Sequence, residues 1–163
     1  MELKHRRDYR KVFVILYVLA FAIYLTVGLQ PADAAHYEIS GKISIPSINL
    51  TSSVTTLELS DNRLNTPDTI VGSYTRGENK TFLIGHSSTV FKDLYKVKPG
   101  DKISYGDVEY TITSLETLAK DDIDMKKLLV KTKEKTLVIM TCAGESLEGN
   151  DATHRLIVTA VAK

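Results

Sequence analysis

Hydrophobic and polar positions follow different rhythms along the chain, and each change of rhythm marks an element. Residues 12–29 contain no charged side chain. As a helix they would extend roughly 27 Å at about 1.5 Å per residue, near the hydrocarbon thickness of a bilayer. Lys4, Arg6, Arg7, Arg10 and Lys11 precede this run, and no Lys or Arg stands in the twelve positions after it. The positive-inside bias then predicts a single-pass transmembrane signal anchor, with residues 1–11 as a basic cytoplasmic tail and everything downstream outside the cell. Ala32-Asp33-Ala34 has the small-x-small form of a cleavage site, so a cleaved signal peptide is the rival reading. The apolar run exceeds the roughly 7–15 residues of a signal core, which favours the anchor. Residues 30–38 are small and polar and read as a linker, leaving 39–163 for one folded domain.

Beyond the linker the rhythm shortens. Ile39, Gly41, Ile43 and Ile45 alternate with Ser40, Lys42 and Ser44, which predicts a half-buried strand within 39–50, with Pro46 forcing an edge or a bend. Residues 54–59 predict a second strand. Residues 61–77, rich in Asn, Asp, Thr, Pro and Gly, lack periodicity and read as a surface crossing around Ile70-Val71. Residues 80–85 read as a strand that delivers His86. Val90, Leu94 and Val97, with Phe91 and Tyr95, are spaced for a short helix over 89–97, ended by Pro99-Gly100-Asp101. Lys102-Ile103-Ser104-Tyr105 and Val108-Glu109-Tyr110-Thr111-Ile112-Thr113 flank Gly106-Asp107 as a hairpin. Ile123, Leu128 and Leu129 allow one or two helical turns within 121–130. Residues 136–141 and 156–161 close the chain as strands. Many short strands with two small helices predict a mostly β domain, a barrel or a sandwich.

Composition narrows the function. An apolar fraction of 43% over 163 residues supports one core of ordinary size. The net charge of +1, with its basic cluster confined to the N-terminus, gives no footing for a nucleic-acid partner. A single cysteine, Cys142, forbids an intramolecular disulfide. It stands at the end of the apolar run Leu137-Val138-Ile139-Met140-Thr141, and Arg155 opens the next strand thirteen positions on, across a polar loop. If those strands are neighbours, thiol and guanidinium share one sheet edge. There a fixed cation can favour a thiolate or hold a carbonyl oxygen as it becomes negative. An unperturbed thiol, with a pKa of about 8.5, is only a few per cent ionised at neutral pH. A nucleophilic cysteine therefore needs a base or a cation beside it, and His86 and Arg155 are the candidates.

Three stretches, taken in order, carry a resemblance. Ile84-Gly85-His86-Ser87 is followed by a short apolar segment and Lys98-Pro99-Gly100-Asp101, then by Thr141-Cys142, then by His154-Arg155-Leu156-Ile157-Val158. Together these resemble the sortases, membrane-anchored cysteine transpeptidases that attach surface proteins to the cell wall of Gram-positive bacteria. The resemblance runs from about Ile39 to the C-terminus and accounts for the N-terminal anchor. It departs from the usual pattern at Val138-Ile139-Met140, three residues where one or two normally separate Thr-Leu from Thr-Cys, and the subclass stays open. The resemblance implies an eight-stranded β-barrel with short helices, with His86, Cys142 and Arg155 as catalytic residues and Thr141 and Ala143 at the substrate. It also implies a Leu-Pro-x-Thr-Gly-like sorting signal cut after Thr through a thioester, and an amine acceptor on a cell-wall precursor or a pilin lysine. No cofactor is implied, and calcium activation, although it occurs in some sortases, is not indicated by the acidic residues here.

Each residue also has a bland reading. A lone cysteine ending an apolar strand is commonly a small buried hydrophobe. His86 could be a turn residue and Arg155 a sheet-edge cap. His154 adjoins Arg155, but strand alternation sends the two side chains to opposite faces. A zinc site from His86, Cys142 and His154 lacks a fourth ligand and close ligand pairs. Glu145, Glu148 and Asp151 read as a solvated loop, because their spacing fits no oxygen-ligand pattern. Two further functions remain beside transpeptidation: a thiol peptidase that passes the acyl group to water, and a non-enzymatic, membrane-tethered β-domain in which Cys142 is inert.

Overall fold

The computed structural model describes residues 37–60, 63–75, 77–147 and 151–162. The predicted tail, the membrane segment 12–29 and the linker through residue 36 lie outside them. Among the described residues no helix is long and apolar enough to cross a membrane.

Ten strands are described: β1 (Ile39–Ile45), β2 (Leu50–Thr56), β3 (Leu59–Ser60), β4 (Arg63–Leu64), β5 (Val71–Thr75), β6 (Lys80–Ile84), β7 (Lys102–Tyr105), β8 (Val108–Ala119), β9 (Thr136–Ser146) and β10 (Ala152–Ala162). Eight close a barrel in the order β1-β2-β5-β6-β9-β10-β8-β7, while β3 and β4 pair separately. The β2–β5 and β6–β9 pairs are parallel, and the other ladders are antiparallel.

Alternation divides each long strand between two apolar layers. Ile43, Ile45, Val54, Leu83, Leu137, Ile139 and Val158 fill the barrel together with Phe91, Leu94 and Val97 from the β6–β7 connection. The opposite face of β6, β9 and β10 carries Phe82, Val138 and Ile157, against which Ile84, Leu118, Ile123, Leu128, Leu129 and Met140 pack. The covering residues come largely from the β8–β9 connection, a 3-10 turn (Lys120–Asp122) followed by α1 (Met125–Leu128). Asp124 caps α1 by accepting from the backbone N–H groups of Lys126 and Lys127, at 2.9 and 3.3 Å. This two-sided burial explains why residues 137–140 are apolar without alternation.

Five expectations are corrected. The strand within 39–50 ends at Ile45; Pro46–Ile48 form a 3-10 turn, Asn49 takes a left-handed φ of 51°, and Leu50 begins β2. Residues 54–59 are accordingly not one strand but the end of β2, a break and Leu59 of β3. The crossing at 61–77 contains β5, a barrel strand, and half of the small β3–β4 pair. β5 escapes pattern reading because Val71 is the only apolar side chain among its buried residues, and Gly72 and Ser73 beside it add no hydrophobic period. A Cβ on Gly72 would lie 2.4 Å from Leu57 Cδ1, and buried Ser73 donates its hydroxyl to the Thr55 carbonyl at 3.1 Å. The helix expected over 89–97 is a series of tight turns ending in the 3-10 turn Leu94–Lys96. Its spacing still serves the core, since Phe91, Leu94 and Val97 are buried and Tyr95 is exposed.

The last correction bears on the site. β9 does not stop at Thr141 but continues to Ser146, so Cys142 lies inside the strand, and Arg155 is the fourth residue of β10 rather than its opening. Gly144, at φ 77°, carries the strand past a register shift between Ala152 and His154. A Cβ there would meet Thr153 Oγ1 at 2.6 Å and His154 Nδ1 at 2.7 Å, so only glycine allows the bulged ladder to continue.

Candidate active site

Register alone brings two of the sequence candidates together. Arg155 of β10 stands directly opposite Cys142 of β9 in the antiparallel ladder, with Leu156 opposite Thr141 and His154 opposite Ala143. Directly opposed residues project to the same face. That face is the outer one, since Met140 and Ile157 belong to the outer apolar layer whereas Ile139 and Val158 fill the barrel.

The third candidate, His86, follows β6. The parallel ladder of that strand with β9 sets Phe82 beside Val138 and Ile84 beside Met140. β6 ends at Ile84, and His86 stands two residues beyond it, in the connection to β7. The step between them is held tightly. Thr141 Oγ1 donates to the Gly85 carbonyl at 2.7 Å, and the Phe91 and Thr89 N–H groups donate to the His86 carbonyl at 3.0 and 3.3 Å. Gly85 is buried where a Cβ would come within 2.6 Å of Val90 Cγ1 and 2.7 Å of Phe91 Cδ2. The β6–β7 connection therefore turns back over Gly85, and the His86 backbone is held at the start of that turn.

Cys142 is half-buried. The His86 side chain is 22% exposed, and its Nε2 lies 3.7 Å from Asp68 Oδ1, an ion-pair rather than a hydrogen-bond separation. Arg155 is the most enclosed of the charged groups at the site, with a side chain 15% exposed. Its Nη1 donates to the carbonyls of Ala152 and His154, both at 2.9 Å, and its Nη2 donates to Asp151 Oδ1 at 2.5 Å. Asp151 also takes a hydrogen bond from Lys120 and one at 2.9 Å from the Ala152 N–H. Lys120, the Ala152 N–H and Arg155 together hold the Asp151 carboxyl far below the usual carboxylate range.

The remaining candidates part from this group. Thr141 is buried, with its hydroxyl committed to Gly85, and Ala143 packs against the inner core. His154 takes the opposite face from Arg155, as alternation requires, and its Nδ1 lies 2.8 Å from Thr153 Oγ1. Among the described residues no group of three or more His, Cys, Asp or Glu side chains is placed to hold a metal ion. Pattern reading missed two acidic neighbours, Asp68 beside His86 and Asp151 beside Arg155. Asp68 sits in an aperiodic stretch that gives no signal. Asp151 stands four residues before Arg155, and that spacing was lost among the other acids of its loop.

Chemically, the β9–β10 ladder offers a thiol opposite a guanidinium, with an imidazole in the connection that follows the neighbouring strand β6.

A family model described as Sortase domain matches residues 43–163. Among solved structures, sortase A of Listeria monocytogenes is 23% identical with a TM-score of 0.59, over 77% of this chain and 87% of that one. Sortase C1 of Streptococcus agalactiae is 24% identical with a TM-score of 0.60, over 82% and 70%. A lid mutant of sortase A from Corynebacterium diphtheriae is 21% identical with a TM-score of 0.60, over 80% and 73%. No curated protein matches the chain by sequence. The solved structures share the barrel fold, and the family match extends over most of the sequence from β1 to the C-terminus. The chain therefore belongs to the sortase family of transpeptidases.

Proposed function

We propose that this chain uses Cys142 as nucleophile to move an acyl group from a sorting signal of the Leu-Pro-x-Thr-Gly kind to an amine. What supports this reading is Arg155 opposite Cys142 in the β9–β10 ladder, with the Thr141–Gly85 hydrogen bond holding the residue before His86 against the residue before Cys142.

In the first half-reaction the Cys142 thiolate attacks the threonyl carbonyl, the C–N bond breaks, and a thioester forms. His86 in its protonated form gives its proton to the departing glycyl amine. In the second, neutral His86 takes a proton from the incoming amine as it attacks the thioester, the C–S bond breaks, and the thiolate returns. Arg155 cannot act as a base, because it keeps its proton in proteins. It holds the carbonyl oxygen as charge gathers there. Thr141 and Ala143, which flank the nucleophile, serve the substrate by fixing Cys142 rather than through their own side chains. The amine belongs to a cell-wall precursor or a pilin lysine. The domain at 39–163 works outside the cell behind an anchor at 12–29 and a linker at 30–38.

The test uses a library of fluorogenic Leu-Pro-x-Thr-Gly peptides with and without a short oligoglycine or a lysine amide. Cleavage after Thr, with the acyl group on the added amine, is the expected outcome. Hydrolysis alone in the presence of both amines would make the chain a thiol peptidase. No cleavage across the library would remove the substrate assignment.

A further inference from the structure

Asp151 joins two cations from different parts of the chain. Lys120 begins the 3-10 turn that follows β8, and Arg155 lies on β10. The β8–β10 ladder sets Leu118 opposite Arg155 and Ala119 opposite His154, so the chain just past β8 passes beside the residue that enters β10. Asp151 fills that corner. One carboxylate oxygen accepts from Arg155 and from the Ala152 N–H, and the other accepts from Lys120.

Two consequences follow for the guanidinium. Three of its five N–H groups are engaged by Asp151 and the carbonyls of Ala152 and His154, and these fix its plane while two donors remain for a substrate oxygen. A long, rotamer-rich side chain is thereby set before substrate arrives, which is the condition for a donor to act with full effect on a developing charge. An Arg155–Asp151 pair alone would be neutral overall and would dull the field at that oxygen. Lys120 restores a net single positive charge to the cluster.

We propose that Asp151 is a positioning residue for Arg155, and that Lys120 braces the carboxylate and keeps the cluster cationic. This rests on Arg155 being the group that holds the substrate carbonyl.

The experiment measures single-turnover acylation by the peptide best cleaved by the wild-type protein, in Asp151→Asn, Asp151→Glu, Lys120→Met, Arg155→Ala and the double variant Asp151→Asn/Arg155→Ala. Asp151→Asn should lower the acylation rate by on the order of tenfold to a hundredfold, the loss seen when a group that orients an active-site ligand is removed, with KM little changed. Asp151→Glu should recover part of that loss. In the Arg155→Ala background the Asn substitution should do nothing more, because its route of action is gone. Wild-type rates in Asp151→Asn, or a loss of equal size with and without Arg155, would overturn the inference while leaving the catalytic reading intact. Wild-type rates in Arg155→Ala would overturn both. If Asp151→Asn fails to fold, Lys120→Met decides. It leaves the Asp151–Arg155 pair standing and should slow acylation several-fold with an unchanged melting temperature; an unchanged rate would refute the role of the cluster.

Discussion

At the scale of single residues, Arg155 and a lysine in its place separate two ways of helping a thiol. Both are cations, so a residue that acted only by favouring the thiolate would be replaced by lysine with modest loss. A residue that presents a planar fork of donors would not, because the ammonium is a compact charge on a flexible stem. The structure speaks for the fork. Arg155 is nearly enclosed and its plane is set by two backbone carbonyls and Asp151, and one ammonium could not keep those bonds and reach a substrate oxygen as well. Arg155→Lys is expected to lower turnover by about a hundredfold, the loss typical of one preorganised donor, while alkylation of the thiol by iodoacetamide follows the same pH profile in both proteins. A profile displaced to higher pH in step with the lost turnover would mean that Arg155 tunes the thiol instead.

Elements enter through the parallel pair β6–β9, which decides where His86 stands. The Thr141 hydroxyl bridges the two strands at the last step before the site. Thr141→Val keeps the shape but removes the donor and leaves the buried Gly85 carbonyl without it. A destabilisation of about 1–3 kcal/mol is expected, with lowered turnover, and Thr141→Ser should recover most of both. Equal melting temperatures and rates in all three proteins would show that the bridge is dispensable. The same strands show what was legible beforehand. The run 136–142, the strand before His86 and the Gly106-Asp107 hairpin announced themselves by apolar runs or turn chemistry, and the first two put Cys142 on β9 and His86 just past β6. β5 did not, because beside the buried Val71 its burial rests on Gly72 under Leu57 and on the Ser73 hydroxyl, neither of which extends a hydrophobic period. The extension of β9 past Cys142 depends on Gly144 and a bulge, and a glycine after an apolar run reads more simply as an ending. The Asp151–Lys120 contact is tertiary, and local sequence does not encode the approach of Lys120 from the turn after β8.

At the scale of the whole molecule, the site depends on a closed barrel, because Cys142 lies on β9, Arg155 on β10 and His86 just past β6, three strands that adjoin in the barrel order rather than one loop. β1 closes that barrel by pairing with both β2 and β7, and the Glu38 carbonyl ahead of it accepts the Thr55 hydroxyl at 2.7 Å. A protein beginning at Tyr37 is therefore expected to melt cooperatively and to turn over peptide at the rate of the full chain. One beginning at Pro46 should lose the transition, because β2 and β7 are left with unpaired edges. A cooperative melt in the shorter protein would show that β1 is not needed for closure. The central claim, that Cys142 carries the acyl group, is tested most directly by intact mass. Wild-type protein mixed briefly with a cleavable Leu-Pro-x-Thr-Gly peptide and quenched in acid should gain the mass of the acyl fragment on Cys142, and should lose it to hydroxylamine. Cys142→Ala should show neither adduct nor cleavage while melting as the wild type does. Cleavage that persists in Cys142→Ala, or an adduct that maps to another residue, would contradict the assignment of the nucleophile.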